Sequence, residues 1–311
     1  LKIYQYLSLV RYKGVFKFLK NFDNKVSIIL DLEDSSKDIF NNTNTIKLKK
    51  ICREGLIFLS KKNDYNSINL DLYVRINSAK TKYFIDDIKC LKKVLKKNFI
   101  KGIFLPKVSD YKVVKEINEL LKLKKKNIGI IPMIENQKGL SNLEKILLDD
   151  AQYKLISGIH YGHFDYCLSE KLWPFPEPYH KEYWNICNKI IKLCELYKKQ
   201  FIQTPFPLIN NPNLFYQCVD YICSKYKKLN FGMSLVNYNE EYFKIKKPYK
   251  SLKIKTQGKN KKFKVLFAKK IFDNYKEGKN NKKSFSLTNK WFIPPHQYIS
   301  AKYYLYKNEK K

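Results

Sequence analysis

Residues 102–136 read GIFLPKVSDYKVVKEINELLKLKKKNIGIIPMIEN. A short apolar run at 102–106 is followed by an amphipathic segment at 111–126. In that segment Val113, Val114, Ile117, Leu120 and Leu121 recur on one face of a 3.6-residue helix. A second apolar run follows at 128–134. Strand, helix and strand joined by short connections make a right-handed crossover, which places the strands parallel and covers them with the helix. Each apolar run ends on polar residues, Pro106-Lys107 in one case and Glu135-Asn136 in the other.

The same alternation extends in both directions. Further candidate strands are YLSLV (6–10), VSIILDL (26–32), LDLYVRI (70–76), YKLISGI (153–159), FIQTP (201–205) and FGMSLV (231–236). Helical patterns lie between them, including 84–99 and, after the Pro-rich WPFPEP loop at 173–178, residues 183–199. Eight strand–helix units predict closure into a (β/α)8 TIM barrel. The rival, a doubly wound open sheet, lacks its signature: no G-x-G-x-x-G turn follows the first strand, where Gly14 stands alone. The pattern changes after Asn237. The reading divides the chain into a barrel at 1–243, a solvated Lys-rich linker at 244–264 and a small C-terminal appendage or lid at 265–311. The appendage comprises a helix at 265–277, a hairpin at 284–293 and a terminal helix at 296–307.

The composition is 44% hydrophobic and 29% charged, enough to build a core of this size. No apolar run reaches the roughly 18 residues that span a bilayer. Residues 1–20 alternate apolar and basic side chains without the apolar stretch of a signal peptide, so a cytoplasmic protein is expected. The chain opens on Leu1 rather than Met, from which a few missing N-terminal residues are expected. Seven cysteines without a C-x-x-C pair read as free buried thiols, Cys187 and Cys194 among them. The formal net charge is +34, which raises a non-catalytic Lys-rich polyanion-binding module, of nucleic acid for instance, as an alternative. Against it, Arg11, Arg53 and Arg75 are the only arginines, whereas nucleic-acid sites favour the arginine fork. Lysine also rises together with Asn, Ile, Tyr and Phe, as AT-rich codon usage would produce. The positive field still favours anionic ligands.

Barrel enzymes carry their chemistry at the C-terminal ends of the strands. Here those ends hold Asp31, Glu33 and Asp34; Arg75 and Asn77; Pro106 and Lys107; Glu135 and Asn136; Asp165; Gln203 and Thr204; and Ser234 and Asn237. Taken singly, each has a structural reading: the DLED acids as helix caps, Arg75 as an ion-pair partner for Asp31 or Glu33, Asp165 as a turn residue. Together they predict a basic–acidic cluster at one rim, which is costly without a ligand or metal. Glu135 and Asp165, from neighbouring strands, suit two carboxylates holding one Mg2+ with positions left for a chelating 2-oxo acid. Arg75 would hold a carboxylate or enolate oxygen. His160 and His163 read as supporting or packing residues, and His180 and His296 as surface or loop residues.

The strings ILDLEDSS, YVRINS, GIFLPKVSD, IPMIENQKGL and GHFDY, in this order, resemble the CitE-like branch of the HpcH/HpaI aldolase and citrate lyase β-subunit family over residues 26–236. The resemblance implies a Mg2+ site at Glu135 and Asp165, substrate contact by Arg75, and Glu33 and Asp34 lining the site, with Asn77, Pro106 and Lys107 placed beside the substrate. It implies a carbon–carbon lyase acting on citryl-, malyl- or citramalyl-CoA-type 3-hydroxyacyl-CoA thioesters, assembled as a trimer or hexamer. An aldolase on a CoA-free hydroxy acid is the alternative within the family. The chain departs from the family pattern in three places. Its first strand lacks a Pro-Gly turn. Leu235 to Asn239 stand where the family has an Ile-His-Pro-x-Gln block. The stretch corresponding to the lid aspartate, LTNKWFIPPHQ, contains no acid, which leaves Asp273 or Glu277 as substitutes.

Overall fold

Along the second strand, Ile28 and Leu30 pack outward into the large cluster shared with the helices, while Ile29 packs inward against Tyr4, Phe104, Ile131, Met133 and Ile202. This period of two makes the sheet apolar on both faces, as a parallel barrel requires. The computed structural model of the chain describes residues 1–20, 22, 26–62, 70–96, 100–236, 240–242, 251–258, 260–280, 286–287 and 292–309. The strands are β1 (Lys2–Ser8), β2 (Val26–Asp31), β3 (Asp71–Arg75), β4 (Gly102–Leu105), β5 (Gly129–Ile134), β6 (Gly158–Tyr161), β7 (Gln200–Pro205) and β8 (Phe231–Leu235). They pair in sequence order, all parallel, and β1 pairs with β8 to close the barrel. Closure leaves no barrel strand with an open edge.

The covering helices are α1 (Tyr12–Leu19), α2 (Asn42–Ser60), α3 (Phe84–Val94), α4 (Tyr111–Leu121), α5 (Gln137–Ser141), α6 (Leu143–Tyr153), α7 (His163–Ser169), α8 (Lys181–Leu196) and α9 (Pro212–Lys225). Their starts are set locally. The side chains of Asn41, Asp110, Asn136 and Asn211 accept from backbone N–H groups of the first turns of α2, α4, α5 and α9. Beyond the barrel come α10 (Lys261–Asn280), the short antiparallel pair β9 (Ser286–Leu287) and β10 (Phe292–Ile293), and α11 (Pro295–Glu309). Among the described residues, no helix is long and apolar enough to cross a membrane.

One expectation changes. The solvated linker does not hold for 251–258. Lys255 bridges to His180, with Lys255 N donating to Tyr179 O (2.8 Å) and Lys181 N donating to Lys255 O (2.8 Å). Gln257 Nε2 donates to Pro174 O at 3.0 Å. The lysines point away while the backbone straps the Pro-rich loop; α10 then starts at Lys261, inside the expected linker. The C-terminal elements also sit against the barrel. Phe292 N donates to Pro207 O (2.9 Å), Trp173 Nε1 donates to Lys264 O (3.1 Å), and Ala268, Ile271, Tyr275, Ile293, Tyr298 and Ala301 form a core of their own. Residues 243–250, most of the hairpin and residues 237–239 lie outside the described residues.

At the opposite end of the barrel from the predicted site, Asp150 gathers four donors while fully buried. Its Oδ1 accepts from Tyr111 Oη (3.0 Å), Leu155 N (2.8 Å) and Ile156 N (3.1 Å), and its Oδ2 from Lys199 Nζ (2.7 Å). Asp150→Ala would strand the Lys199 ammonium and two amides, so a loss of about 3–5 kcal/mol is expected. Urea unfolding reads this as a lower midpoint at unchanged slope; a wild-type midpoint would contradict the assignment.

Candidate active site at the barrel mouth

The inward period of two carries past the apolar layer. Two residues beyond Ile29 comes Asp31, two beyond Tyr73 comes Arg75, and two beyond Met133 comes Glu135. β2 and β3 pair in register, with Asp31 opposite Arg75. The two side chains form a forked pair, Nε to Oδ1 and Nη2 to Oδ2, both 2.7 Å. Asp31 also accepts from the amides of Glu33 and Ser35, each at 2.9 Å, which folds the DLED turn back over the strand end. Burial would raise the Asp31 carboxyl, but the Arg75 charge and these hydrogen bonds hold it down to about 2. Asp31, absent from the predicted ligand set, therefore organises the rim. Lys49 reaches beneath the turn to the carbonyls of Leu32 (2.8 Å) and Glu33.

Arg75 spends its remaining nitrogen on the acids of that turn: Nη1 lies 3.1 Å from Asp34 Oδ2 and 3.2 Å from Glu33 Oε2. Its guanidinium carbon sits 4.8 Å from the centre of the Tyr6 ring. Glu33 Oε2, despite that ion pair, receives no hydrogen bond. Burial and then the Asp34 charge push the Glu33 carboxyl up to about 8.

A second group of charges faces the first. Lys107 follows β4 in the left-handed region (φ 58°), a conformation non-glycine residues adopt where surrounding contacts enforce it. The turn aims its amide at Glu135 Oε2 (2.8 Å) and its ammonium at Asp165 Oδ1 (3.0 Å). Burial, then the charges of Asp165 and Glu33, pushes the Glu135 carboxyl well above the usual range. Glu135 lies over Gly162: a Cβ there would come 2.3 Å from Glu135 Cγ, so only glycine admits the carboxylate. Asp165 stands in the first turn of α7.

His296 corrects the surface assignment. At the start of α11 it is 6% exposed, and its Nε2 lies 3.0 Å from Asp165 Oδ2. Burial would raise Asp165, but His296 and Lys107 hold it below the usual carboxylate range; burial would lower His296, and Asp165 raises it. The approach of His296 to Asp165 was not legible, because no local pattern tells that α11 packs on α7 and returns to the mouth.

Other predicted residues fall to the side. Asn77 turns its amide to Asp87 Oδ2 (2.7 Å) and Leu32 O (2.9 Å) rather than to the mouth, a positioning contact. Pro106 is buried at the end of β4. His160 and His163 are buried among aromatic rings and both are lowered to about 3, mainly by burial, so they are neutral packing groups. His180 is partly buried and accepts from Glu177 N at 2.9 Å. Asp273 and Glu277 are exposed on α10. A cavity of about 150 Å³ opens over Arg75, bordered by Tyr6, Ser8, Asp34, Phe164 and His296. Asp34, Asp165 and His296 offer ligand atoms that all lie within 4.8 Å of one another.

The carboxylates and the one arginine thus lie on the C-terminal rim of a closed parallel barrel, the face where barrel enzymes carry their chemistry. The HpcH/HpaI aldolase/citrate lyase family model matches residues 21–224, and the chain belongs to that family. Solved structures with the same fold include RipC from Yersinia pestis (16% identity, 78% of this chain and 91% of that one, TM-score 0.54). They also include CitE from Mycobacterium tuberculosis in complex with magnesium and pyruvate (15%, 75% and 84%, TM-score 0.55). CitE from the same organism with magnesium, acetoacetate and coenzyme A aligns over 100% of this chain and 98% of its own (12%, TM-score 0.53). A comparison with curated protein sequences finds no match.

If Asp31 organises the rim, Asp31→Asn should cost about 3–5 kcal/mol by leaving Arg75 buried without its fork partner. Glu33→Gln should cost less than about 1 kcal/mol, or stabilise, because it removes a buried and poorly satisfied carboxylate. Chemical denaturation of the two variants in metal-free buffer checks the order, and its reversal would contradict the assignment.

Proposed function

We propose that the chain is a Mg2+-dependent carbon–carbon lyase. It cleaves or forms a 3-hydroxyacyl-CoA of the citryl-, malyl- or citramalyl-CoA type, giving an acyl-CoA and a 2-oxo acid. The observation that carries this reading is the excess of acid at the mouth. Asp31, Glu33, Asp34, Glu135 and Asp165 converge on Arg75, Lys107 and His296, with Glu33 and Glu135 pushed up by burial and by one another's neighbours. Such a set fits a hard dication, which relieves the repulsion and satisfies the hydrogen-bond-starved Glu33 region. Glu135 and Asp165 would hold the Mg2+. Membership of an aldolase/citrate lyase family supports the lyase reading, and the CitE complexes with magnesium, pyruvate, acetoacetate and coenzyme A support the cofactor and substrate class.

When bound, the cation supplies Lewis-acid polarisation of the 2-oxo carbonyl. Arg75, held rigid by Asp31, borders the cavity and would offer its guanidinium to a substrate carboxylate or a developing enolate oxygen. Glu33 and Asp34 flank its Nη1 and position substrate or water. Lys107, on the Pro106 turn, is an alternative counter-charge for Asp165 and a substrate contact once released from it. The C-terminal appendage acts as a lid, since Phe292, Pro294, Pro295 and His296 border the cavity. Assembly into a trimer or hexamer belongs to the same reading. The small, partly covered cavity favours a second possibility, an aldolase on a CoA-free hydroxy acid; direct binding of CoA thioesters discriminates the two.

Titration calorimetry of metal-stripped protein with Mg2+, with and without pyruvate, oxaloacetate or glyoxylate, tests the proposal. Binding of the 2-oxo acid should require Mg2+ and weaken by roughly 10–100-fold or more in Glu135→Gln. Uptake of neither metal nor oxo acid would overturn it.

A further inference from the structure

The family reading assigns the cation to two carboxylates, yet the C-terminal segment brings an imidazole to the same place. His296 Nε2 and Asp165 Oδ2 are 3.0 Å apart. Two donors at about 2.1 Å from one ion and at right angles to each other would be about 3.0 Å apart, so this pair is spaced as adjacent ligands. Asp34 completes a triad whose ligand atoms all lie within 4.8 Å. Two further observations point to a ligand. His296 is 6% exposed and its Nδ1 has no hydrogen-bond partner, so no second hydrogen bond fixes the ring in its present role. Glu33, 7% exposed, keeps an oxygen without a hydrogen bond beside Asp34.

We propose that Asp34, Asp165 and His296 form a mixed carboxylate–imidazole cation site that takes Mn2+, Co2+ or Zn2+ in preference to Mg2+. The inference rests on Asp165 being a metal ligand, as in the function proposed above, and extends it to the identity of the metal. Imidazole nitrogen suits the later divalent metals, whereas Mg2+ prefers oxygen and holds its water. His296 enters from α11, whereas Asp34 and Asp165 belong to the barrel. The cation therefore joins the C-terminal helix to the mouth, at the place where the family's lid acid is missing. The stretch before α11 supplies Ile293 and Pro294, neither of which can ligate, and His296 is the next residue with a donor side chain.

Pulsed EPR of the full-length, chelator-stripped protein loaded with Mn2+ alone is the test, paired with competition by Mg2+. The expected result is a directly bonded nitrogen on the wild-type Mn2+. In His296→Gln that coupling should vanish and Mn2+ affinity should fall on the order of tenfold or more, with Mg2+ affinity changing by about threefold or less. Bound Mn2+ without nitrogen coupling, or equal losses for both metals in the variant, would overturn this inference and leave the lyase proposal standing. Binding of neither Mn2+ nor Mg2+ would overturn both. The wild-type spectrum decides the matter even if the variant folds poorly.

Discussion

The Asp31–Arg75 fork is the contact on which the barrel mouth depends. Two formal charges are taken out of water where β2 and β3 end, a placement that is tolerable only with full pairing and added hydrogen bonds. Asp31 meets that condition with four acceptor contacts, two to the guanidinium and two to amides of the following turn. One carboxylate thereby fixes the direction of Arg75 and the path of Glu33 and Asp34. Across the mouth, Lys107 does the same with opposite sign, its left-handed backbone directing an amide and an ammonium to two different acids.

The overall charge and the site pull in opposite directions, and the combination is informative. The chain carries +34, yet its buried mouth is acidic. A positive surface draws anions towards the protein, and an acidic cluster draws a dication into the mouth. An anionic substrate that chelates a metal answers to both fields; a polyanion would meet the surface and find nothing in the mouth to recognise it.

The barrel was legible because parallel strands buried on both faces are continuous apolar runs set off by amphipathic helices. Six of the eight candidate runs overlap their strands over most of the strand, and the two exceptions have physical causes. β1 lies at Lys2–Ser8 rather than 6–10, because Gln5 is buried on the helix-facing side of the strand and Lys2 pairs with Asp71, so polar residues occupy strand positions. β6 lies at Gly158–Tyr161 rather than 153–159, because the connection from α6 carries the buried apolar pair Leu155 and Ile156, which reads as strand. The rim acids were legible from position at strand ends. Asp31 was legible as a rim acid, a cap or a partner for Arg75 but not as the residue that organises the rim, although its parity with Ile29 marks it as inward-facing. His296 was not legible at all, since its location is set by how α11 packs on α7, over 100 residues away in sequence. The backbone pairing that straps 251–258 to the Pro-rich loop was hidden for the same reason, beneath a run of lysines that face solvent.

The most direct test of a cation-centred mouth is a crystal of the protein grown with Mn2+ and pyruvate, with data collected at the manganese absorption edge. The account predicts one anomalous peak bound to Asp165, with pyruvate between it and Arg75 and with Lys107 moved off Asp165. An empty mouth in which Lys107 and His296 still hold Asp165 would contradict it.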